Sequence, residues 1–130
     1  MLEITRTITI KASPEQVYQW ISQAEYLQKW FADTTSRNGD TITFAWNQQD
    51  GGTVGFDAKV TVDNAPSQFA YQSVEDKPTT TQFELSVDGD GTQLTLTESP
   101  FTDDEAGRSS MQEHEGGWDF FLMRLQQLGV

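Results

Sequence analysis

The sequence predicts an α+β domain, in which a curved, six-stranded antiparallel sheet carries two short helices and a long C-terminal helix packed across it. Three observations predict this class. Apolar and polar residues alternate in residues 2–10 and in five later segments between residues 41 and 98, which is the period of a half-buried strand. Turn signals separate those later segments, so each strand should follow the last as a hairpin. After residue 102 the apolar spacing becomes the three-four repeat of a helix.

The N-terminal part of the chain predicts one strand followed by two short helices. In residues 2–10, Arg6 shares one face with four aliphatic side chains, and glutamate and threonines take the other face. Ser13 is a predicted N-cap, and Pro14 suits the first position of the helix that follows. The inward faces of the two helices are predicted to be Val17, Tyr18 and Ile21, then Leu27, Trp30 and Phe31.

Five strands are predicted between the short helices and the C-terminal helix. Short turns such as "NGD" at 38–40 and "DGDG" at 88–91 separate them. The sequence does not decide which of residues 69–74 face the core. The positions predicted to face the core are Ile42, Phe44 and Trp46; Val54, Phe56, Ala58, Val60 and Val62; Thr81, Phe83, Leu85 and Val87; and Leu94 and Leu96.

The C-terminal helix is predicted to start at a capping box formed by Thr102 and Glu105. At about 25 residues it would be about 37 Å long, enough to cross the sheet. Gly116 and Gly117 interrupt it, at a cost of roughly 1 kcal/mol each. We expect them to mark either the closest approach to the sheet or an opening onto a cavity. The inward face is predicted to be Met111, His114, Trp118, Phe121, Leu122, Leu125 and Leu128.

Composition limits the function classes. The 130 residues fit one domain spanning 1–130, and the formal net charge of −12 argues against nucleic acid and anionic membranes as partners. No apolar run approaches the roughly 18 residues of a membrane-spanning helix. With no cysteine and one histidine, we expect no metal site and no cofactor. We expect a cytoplasmic protein.

Four segments in order resemble the START-like, or SRPBCC, helix-grip superfamily, and within it the family called activator of heat-shock protein 90 ATPase, C-terminal-domain-like. They are "ITRTITIKASPEQVYQWI", "EYLQKWF", "GTQLTLTESPF" and "HEGGWDFFLMRLQQL". The resemblance implies a helix-grip fold that binds a small hydrophobic ligand between sheet and helix. The family name implies chaperone stimulation, and superfamily relatives include polyketide cyclases and aromatases.

Arg6, Glu98 and His114 are the polar residues on the predicted inward faces. The resemblance makes the first and last strands antiparallel neighbours, so Arg6 and Glu98 are predicted to form a partly buried ion pair. Alternatively, they orient a polar group of a ligand. That pair would leave His114 without an orienting partner and, through desolvation, neutral. The alternatives for His114 are a hydrogen bond at the helix edge, a ligand anchor or an acid–base role.

The leading hypothesis is a binding module for a small apolar or amphipathic molecule, with no catalytic residue. A chaperone-interacting protein is the second hypothesis, and a cyclase- or hydrolase-like enzyme using His114 is the third. An open cavity favours binding or catalysis, whereas a filled core with an exposed apolar patch favours the chaperone role. The predicted cavity residues are Arg6, Trp30, Phe31, Phe44, Trp46, Phe56, Tyr71, Phe83, Glu98, His114, Trp118, Phe121 and Leu122.

Overall fold

A computed structural model describes residues 2–129 as a seven-stranded antiparallel sheet and three helices. The elements are β1 (Leu2–Ile10), α1 (Pro14–Ser22), α2 (Ala24–Trp30), β2 (Thr34–Asn38), β3 (Thr41–Asn47), β4 (Thr53–Asn64), β5 (Gln68–Ser73), β6 (Thr80–Asp88), β7 (Gly91–Phe101) and α3 (Glu105–Gln127). The strand order is β1-β7-β6-β5-β4-β3-β2, and every neighbouring pair is antiparallel. The α+β class, the two short helices and the long C-terminal helix are confirmed.

The prediction of six strands is wrong by one, because β2 has no alternating apolar pattern. Its sequence, TTSRN, is polar throughout, yet it pairs with β3 at the edge of the sheet. The Gln28 side chain accepts a hydrogen bond from the backbone N–H of Thr35. The Arg37 guanidinium donates to the carbonyl oxygen of Ser22. Tertiary hydrogen bonds of this kind hold the strand, and they leave no periodic signal in the sequence.

Two of the three helices, α1 and α3, start at a residue whose side chain caps the helix. Ser13 is the N-cap of α1, as predicted, and its hydroxyl accepts from the backbone N–H of Gln16 at 3.2 Å. The predicted capping box of α3 is wrong, because the N-cap is Asp104 rather than Thr102. The Asp104 carboxylate accepts from the backbone N–H of Gly107 at 2.7 Å, and the Thr102 hydroxyl donates to the same carboxylate. A carboxylate at this position also suits the positive end of the helix.

A single core lies between the sheet, the two short helices and the second half of α3. Trp30, Phe44, Phe69 and Phe83 are among its fully buried members. The sequence left open which of residues 69–74 face the core. In the structure, Phe69, Ala70, Tyr71 and Ser73 are buried. Two positions predicted to face the core, Val54 and Val87, are exposed instead, because each lies close to a strand end.

Tyr18 connects α1 to strands β4 and β5. Its hydroxyl donates to the Asp63 carboxylate and lies 3.1 Å from the carbonyl oxygen of Gln68. Arg37 completes the group with an ion pair to Asp63 at 3.1 Å. The phenol at position 18 therefore makes contacts that a phenylalanine could not.

The two halves of α3 have different surroundings. In the second half, Trp118, Leu122 and Leu125 are buried in the core. In the first half only Gly107 is buried among the described residues. The helix packs chiefly on β1 and less on β7 and α2, and several residues of its first half line an open space above the sheet. This difference places the candidate site beneath the first half of the helix.

Candidate functional site

A cavity of about 780 Å³ lies beneath the first half of α3. Its volume falls in the range of 300–1,000 Å³ typical of small-molecule sites. One wall is aromatic and the opposite end is polar. The lining residues are Phe31, Trp46, Phe56, Tyr71, Gln72, Ser73, Glu75, Lys77, Pro78, Thr79, Thr81, Glu98, Pro100, Phe101, Thr102, Ala106, Gly107, Ser110, Glu113, His114, Gly117, Trp118 and Phe121.

The cavity brings together eight of the thirteen predicted site residues. These eight are Phe31, Trp46, Phe56, Tyr71, Glu98, His114, Trp118 and Phe121. Trp30, Phe44, Phe83 and Leu122 instead fill the core, each at most 2% exposed. Arg6 lies outside the lining. Ligand contact by any of the thirteen stays a prediction.

The predicted ion pair between Arg6 and Glu98 is wrong, because the register of β1 and β7 and the position of α3 give both residues other partners. Ile4, not Arg6, stands opposite Glu98. Arg6 reaches up to α3, where its Nε lies 2.8 Å from Asp119 and its Nη2 lies 3.0 Å from Glu115. Arg6 thus forms its ion pairs with the two helix carboxylates, and Glu98 has other partners.

Glu98 is a buried carboxylate, 4% exposed, that accepts hydrogen bonds on both oxygens. Its Oε1 lies 2.8 Å from the indole Nε1 of Trp118, and its Oε2 lies 2.6 Å from the hydroxyl of Thr79. Both oxygens also lie 3.0–3.1 Å from Nδ1 of His114. Burial alone would raise the pKa of Glu98, but the hydrogen bonds from His114, Thr79 and Trp118 outweigh it and lower that pKa.

His114 therefore has an orienting partner, contrary to the sequence interpretation, and its surroundings raise its pKa instead of lowering it as predicted from desolvation. The hydrogen bond that His114 donates to Glu98 raises the pKa of His114, and desolvation only partly opposes that effect. Glu75 and Glu113 raise the pKa further through their charges. The ring of Phe101 packs edge-on against the imidazole, with 5.4 Å between ring centroids.

The arrangement fixes which ring nitrogen of His114 is available. Trp118 Nε1 donates to one oxygen of Glu98 and the Thr79 hydroxyl donates to the other, and with its lowered pKa these contacts favour the ionised carboxylate. Nδ1 of His114 consequently carries a proton and donates a hydrogen bond to Glu98. Within residues 2–129, Nε2 has no hydrogen-bond partner. Nε2 is the nitrogen left for a ligand or for solvent.

Gly117 is the glycine that opens onto the cavity. A Cβ built on it would meet only the ring of Phe121, at 3.7 Å, and a Cβ on Gly116 would meet nothing within 4 Å. Of the two roles expected for this pair, the structure favours the opening. The close approach lies elsewhere in the helix, at Gly107, where a Cβ would come 1.9 Å from the carbonyl oxygen of Thr102.

Sequence reasoning missed the residues that close the polar end of the cavity. They come from the segment 75–79 between β5 and β6, and from the end of β7. The segment "EDKPT" carries a turn signal but no period, so its sequence does not reveal that Thr79 reaches Glu98. Phe101 follows Pro100 beyond the alternating part of β7, and its place beside His114 had no signal either.

Two general features of residues 2–129 bear on the kind of site. Between residues 2 and 129, no three His, Cys, Asp or Glu side chains are grouped so that they could hold a metal ion. Over the same range, none of the helices has the length and apolar character needed to cross a membrane.

Comparisons with known proteins agree with the fold. The family model described as activator of Hsp90 ATPase homolog 1-like protein matches residues 11–129. The solution structure of the Aha1 dimer from Colwellia psychrerythraea is similar, with 28% identity, a TM-score of 0.80, and coverage of 99% of this chain and 96% of that chain. No curated protein matches the sequence significantly.

Two crystal structures of lower identity are similar in fold alone. A protein from Mesorhizobium loti is 19% identical with a TM-score of 0.81, and the match covers 98% of this chain and 96% of that chain. A protein from Nitrosomonas europaea is 14% identical with a TM-score of 0.82, and the match covers 98% of this chain and 93% of that chain. The fold is thus shared by proteins of low sequence identity.

Proposed function

The chain belongs to the activator of Hsp90 ATPase homolog 1-like family, and from that premise we propose that it binds a small apolar or amphipathic molecule in the cavity beneath α3. The observation that carries the proposal is the cavity itself, about 780 Å³ of space lined by aromatic and polar side chains. A ligand of ordinary size would bury most of its surface there.

The aromatic wall supports an apolar or planar body for the ligand. Phe31 packs on Trp46 and on Phe121, with ring centroids 5.3 and 5.1 Å apart. Trp46 also packs against Phe56 at 6.0 Å. Rings held by one another keep their positions, so they offer a preformed apolar surface at little cost in side-chain entropy. The polar end, with Glu98 and His114, suits a ligand that carries one polar group.

The cavity also favours binding over the chaperone alternative, which needs an exposed apolar surface more than a hollow interior. The family description and two exposed side chains on α3, Phe120 and Met123, are what support the chaperone role. Arg124 lies over the ring of Phe120 and covers part of it. Two side chains make a small patch, and single exposed apolar residues are common on protein surfaces.

Filling the cavity at Gly117 tests the proposal. The neutral dye N-phenyl-1-naphthylamine becomes fluorescent in apolar surroundings, so its titration reports binding. We expect Gly117→Leu to weaken dye binding about tenfold or more, because the new side chain displaces about two methylene equivalents of apolar contact.

Gly116→Leu is the matched control, since its side chain would enter open space outside the cavity. Both variants replace a glycine in the same helix, so their effects on helix propensity are alike. Equal dye binding by the two variants would place the dye outside this cavity and contradict the proposal.

A further inference from the structure

We propose that Glu98 and His114 form a carboxylate-oriented general base, which removes a proton from the carbon beside the carbonyl group of a neutral apolar ketone held in the cavity. The inference rests on the proposed function, because the ketone occupies the same space as the ligand proposed above. It goes further by assigning a reaction to that space, namely enolisation, and by naming the class of substrate.

The orientation of the base comes from Glu98. Its two oxygens together accept from Trp118, from Thr79 and from His114, which uses the roughly four lone-pair sites of a carboxylate. Glu98 thus has little capacity left for a ligand, and its role is to hold the imidazole. A base whose second nitrogen is held by a carboxylate has a fixed orientation and tautomer, which is what proton abstraction requires.

The His114 side chain lies at the border between cavity and solvent. His114 lines the cavity, and its side chain is 44% exposed. Nε2 can therefore meet a bound ketone from one side and exchange its proton with water. This access to solvent lets the base recover its starting state after each transfer.

Tyr71 supplies a donor for the carbonyl oxygen. Tyr71 on β5 stands opposite Thr81 on β6, and Thr81 stands opposite Glu98 on β7. Two strand spacings separate the Tyr71 and Glu98 backbones by about 10 Å. Burial, with a further effect from Glu98, raises the pKa of the Tyr71 phenol, so its hydroxyl keeps the proton that it donates. A ketone between Tyr71 and His114, which Glu98 holds, would have the base at one end and a donor at the other.

The reaction step is balanced with water as the sole co-reactant. The Nε2 lone pair takes the proton, and the electrons of the broken C–H bond form the carbon–carbon double bond of the enolate. The carbonyl π electrons move to oxygen, where the hydroxyl of Tyr71 stabilises the charge. The imidazolium exchanges its proton with solvent and returns a proton to the same carbon, which regenerates the ketone.

The charges around the imidazole favour a neutral substrate. Glu98 faces it from β7, Glu113 from α3, and Glu75 from the segment between β5 and β6, which also carries Lys77. Carboxylates outnumber cations in this set, and the whole chain carries −12. An anionic ligand would be repelled, whereas a ketone gains its charge only during the step that the base and Tyr71 stabilise.

The experiment uses 2-tetralone, a neutral aromatic ketone with acidic protons beside its carbonyl. Proton NMR in D2O follows the loss of those protons, and quenching of tryptophan fluorescence measures binding separately. We expect exchange above the buffer rate, rising with pH through the pKa of His114, because the neutral imidazole is the base.

The variants separate catalysis from binding. We expect His114→Gln to slow exchange by about 10²-fold, the contribution of a general base, and to change Kd by less than about threefold. Glu98→Gln should move the pH inflection downwards, towards 6.5, because the carboxylate that raises the pKa of His114 is gone. That shift provides the test if His114→Gln does not fold. Gly116→Leu should exchange like the wild type.

Exchange at the buffer rate in the wild type, with or without binding of 2-tetralone, would overturn the inference and leave the pair a structural contact only. Equal exchange rates in the wild type and His114→Gln would overturn it as well. The proposed function has its own readout, the cavity-dependent binding of N-phenyl-1-naphthylamine, and it fails only when that binding fails.

Discussion

At the scale of single residues, Trp118 has two roles that a smaller side chain would separate. Its ring stacks on Phe31, with centroids 5.2 Å apart and planes 9° from parallel. Its indole N–H donates to Glu98 from a residue that is 5% exposed. The first contact is core packing, and the second helps to satisfy a buried charge that would otherwise be costly.

Trp118→Phe keeps the aromatic contact and removes the donor. We expect it to lower the free energy of unfolding by about 1–3 kcal/mol, the usual cost of leaving a buried polar group short of a partner. Trp118→Ala, which also removes the ring, should cost about 3–5 kcal/mol. Urea unfolding followed by circular dichroism measures both. If Trp118→Phe is as stable as the wild type, the hydrogen bond to Glu98 contributes nothing to folding.

The sequence identified the polar residues of the site but not their pairing, for a physical reason. Alternation placed Arg6 and Glu98 on the inward faces, and helical spacing placed His114 above them. Which of them meet depends on the register between β1 and β7 and on the path of α3 above them. The apolar period of a single segment determines neither the register nor the helix path. The Glu98–His114 pair could therefore be recognised only in the three-dimensional structure.

At the scale of elements, the start of α3 depends on a close approach to the segment before it. The helix begins after Asp104, and Gly107 lies against the backbone of Thr102. Periodicity predicted the helix and its inward face, and it found every strand except the polar β2. It could not locate the N-cap, because Thr102, Asp103 and Asp104 are all capable caps and the choice depends on the turn that β7 makes into the helix.

Gly107→Ala should destabilise the protein although alanine is the better helix former. The added Cβ would come 1.9 Å from the carbonyl oxygen of Thr102, so the backbone must shift. We expect a loss of about 1–3 kcal/mol, as for other overpacked sites. Gly116→Ala, where the Cβ meets open space, should gain about 1 kcal/mol. Thermal melts of the two variants compare them, and a more stable Gly107→Ala would disprove the close approach.

At the scale of the whole molecule, the Glu98–His114 contact couples the terminal helix to the sheet. Glu98 belongs to β7 and His114 to the half of α3 that has few buried side chains. Each residue has its pKa moved by the other, Glu98 downwards and His114 upwards. Folding must then respond to pH, because the unfolded chain lacks the contact.

The effect of pH on the stability of the fold has a definite sign for each of the two residues. Glu98 stabilises the fold above its unfolded pKa, near 4.5, and this contribution is lost as the pH falls through the lowered folded value. His114 stabilises it fully below its unfolded pKa, near 6.5, and this contribution is lost as the pH rises through the raised folded value. We expect the stability of the wild type to decline above about pH 6.5, and that decline to disappear in His114→Gln. Urea midpoints measured from pH 5 to 9 test this, and parallel curves for the two proteins would contradict it.

The unequal halves of α3 also bear on how such a protein can diversify. Residues of the second half, from Trp118 to Leu125, support the core, and a change there costs stability first. In the first half, Ser110, Glu113 and Gly117 line the cavity without being fully buried. We expect substitutions at these positions to alter the shape and polarity of the cavity with little loss of stability. Selection can therefore exchange one ligand for another while the fold remains intact, which is a route by which a shared architecture acquires many specificities.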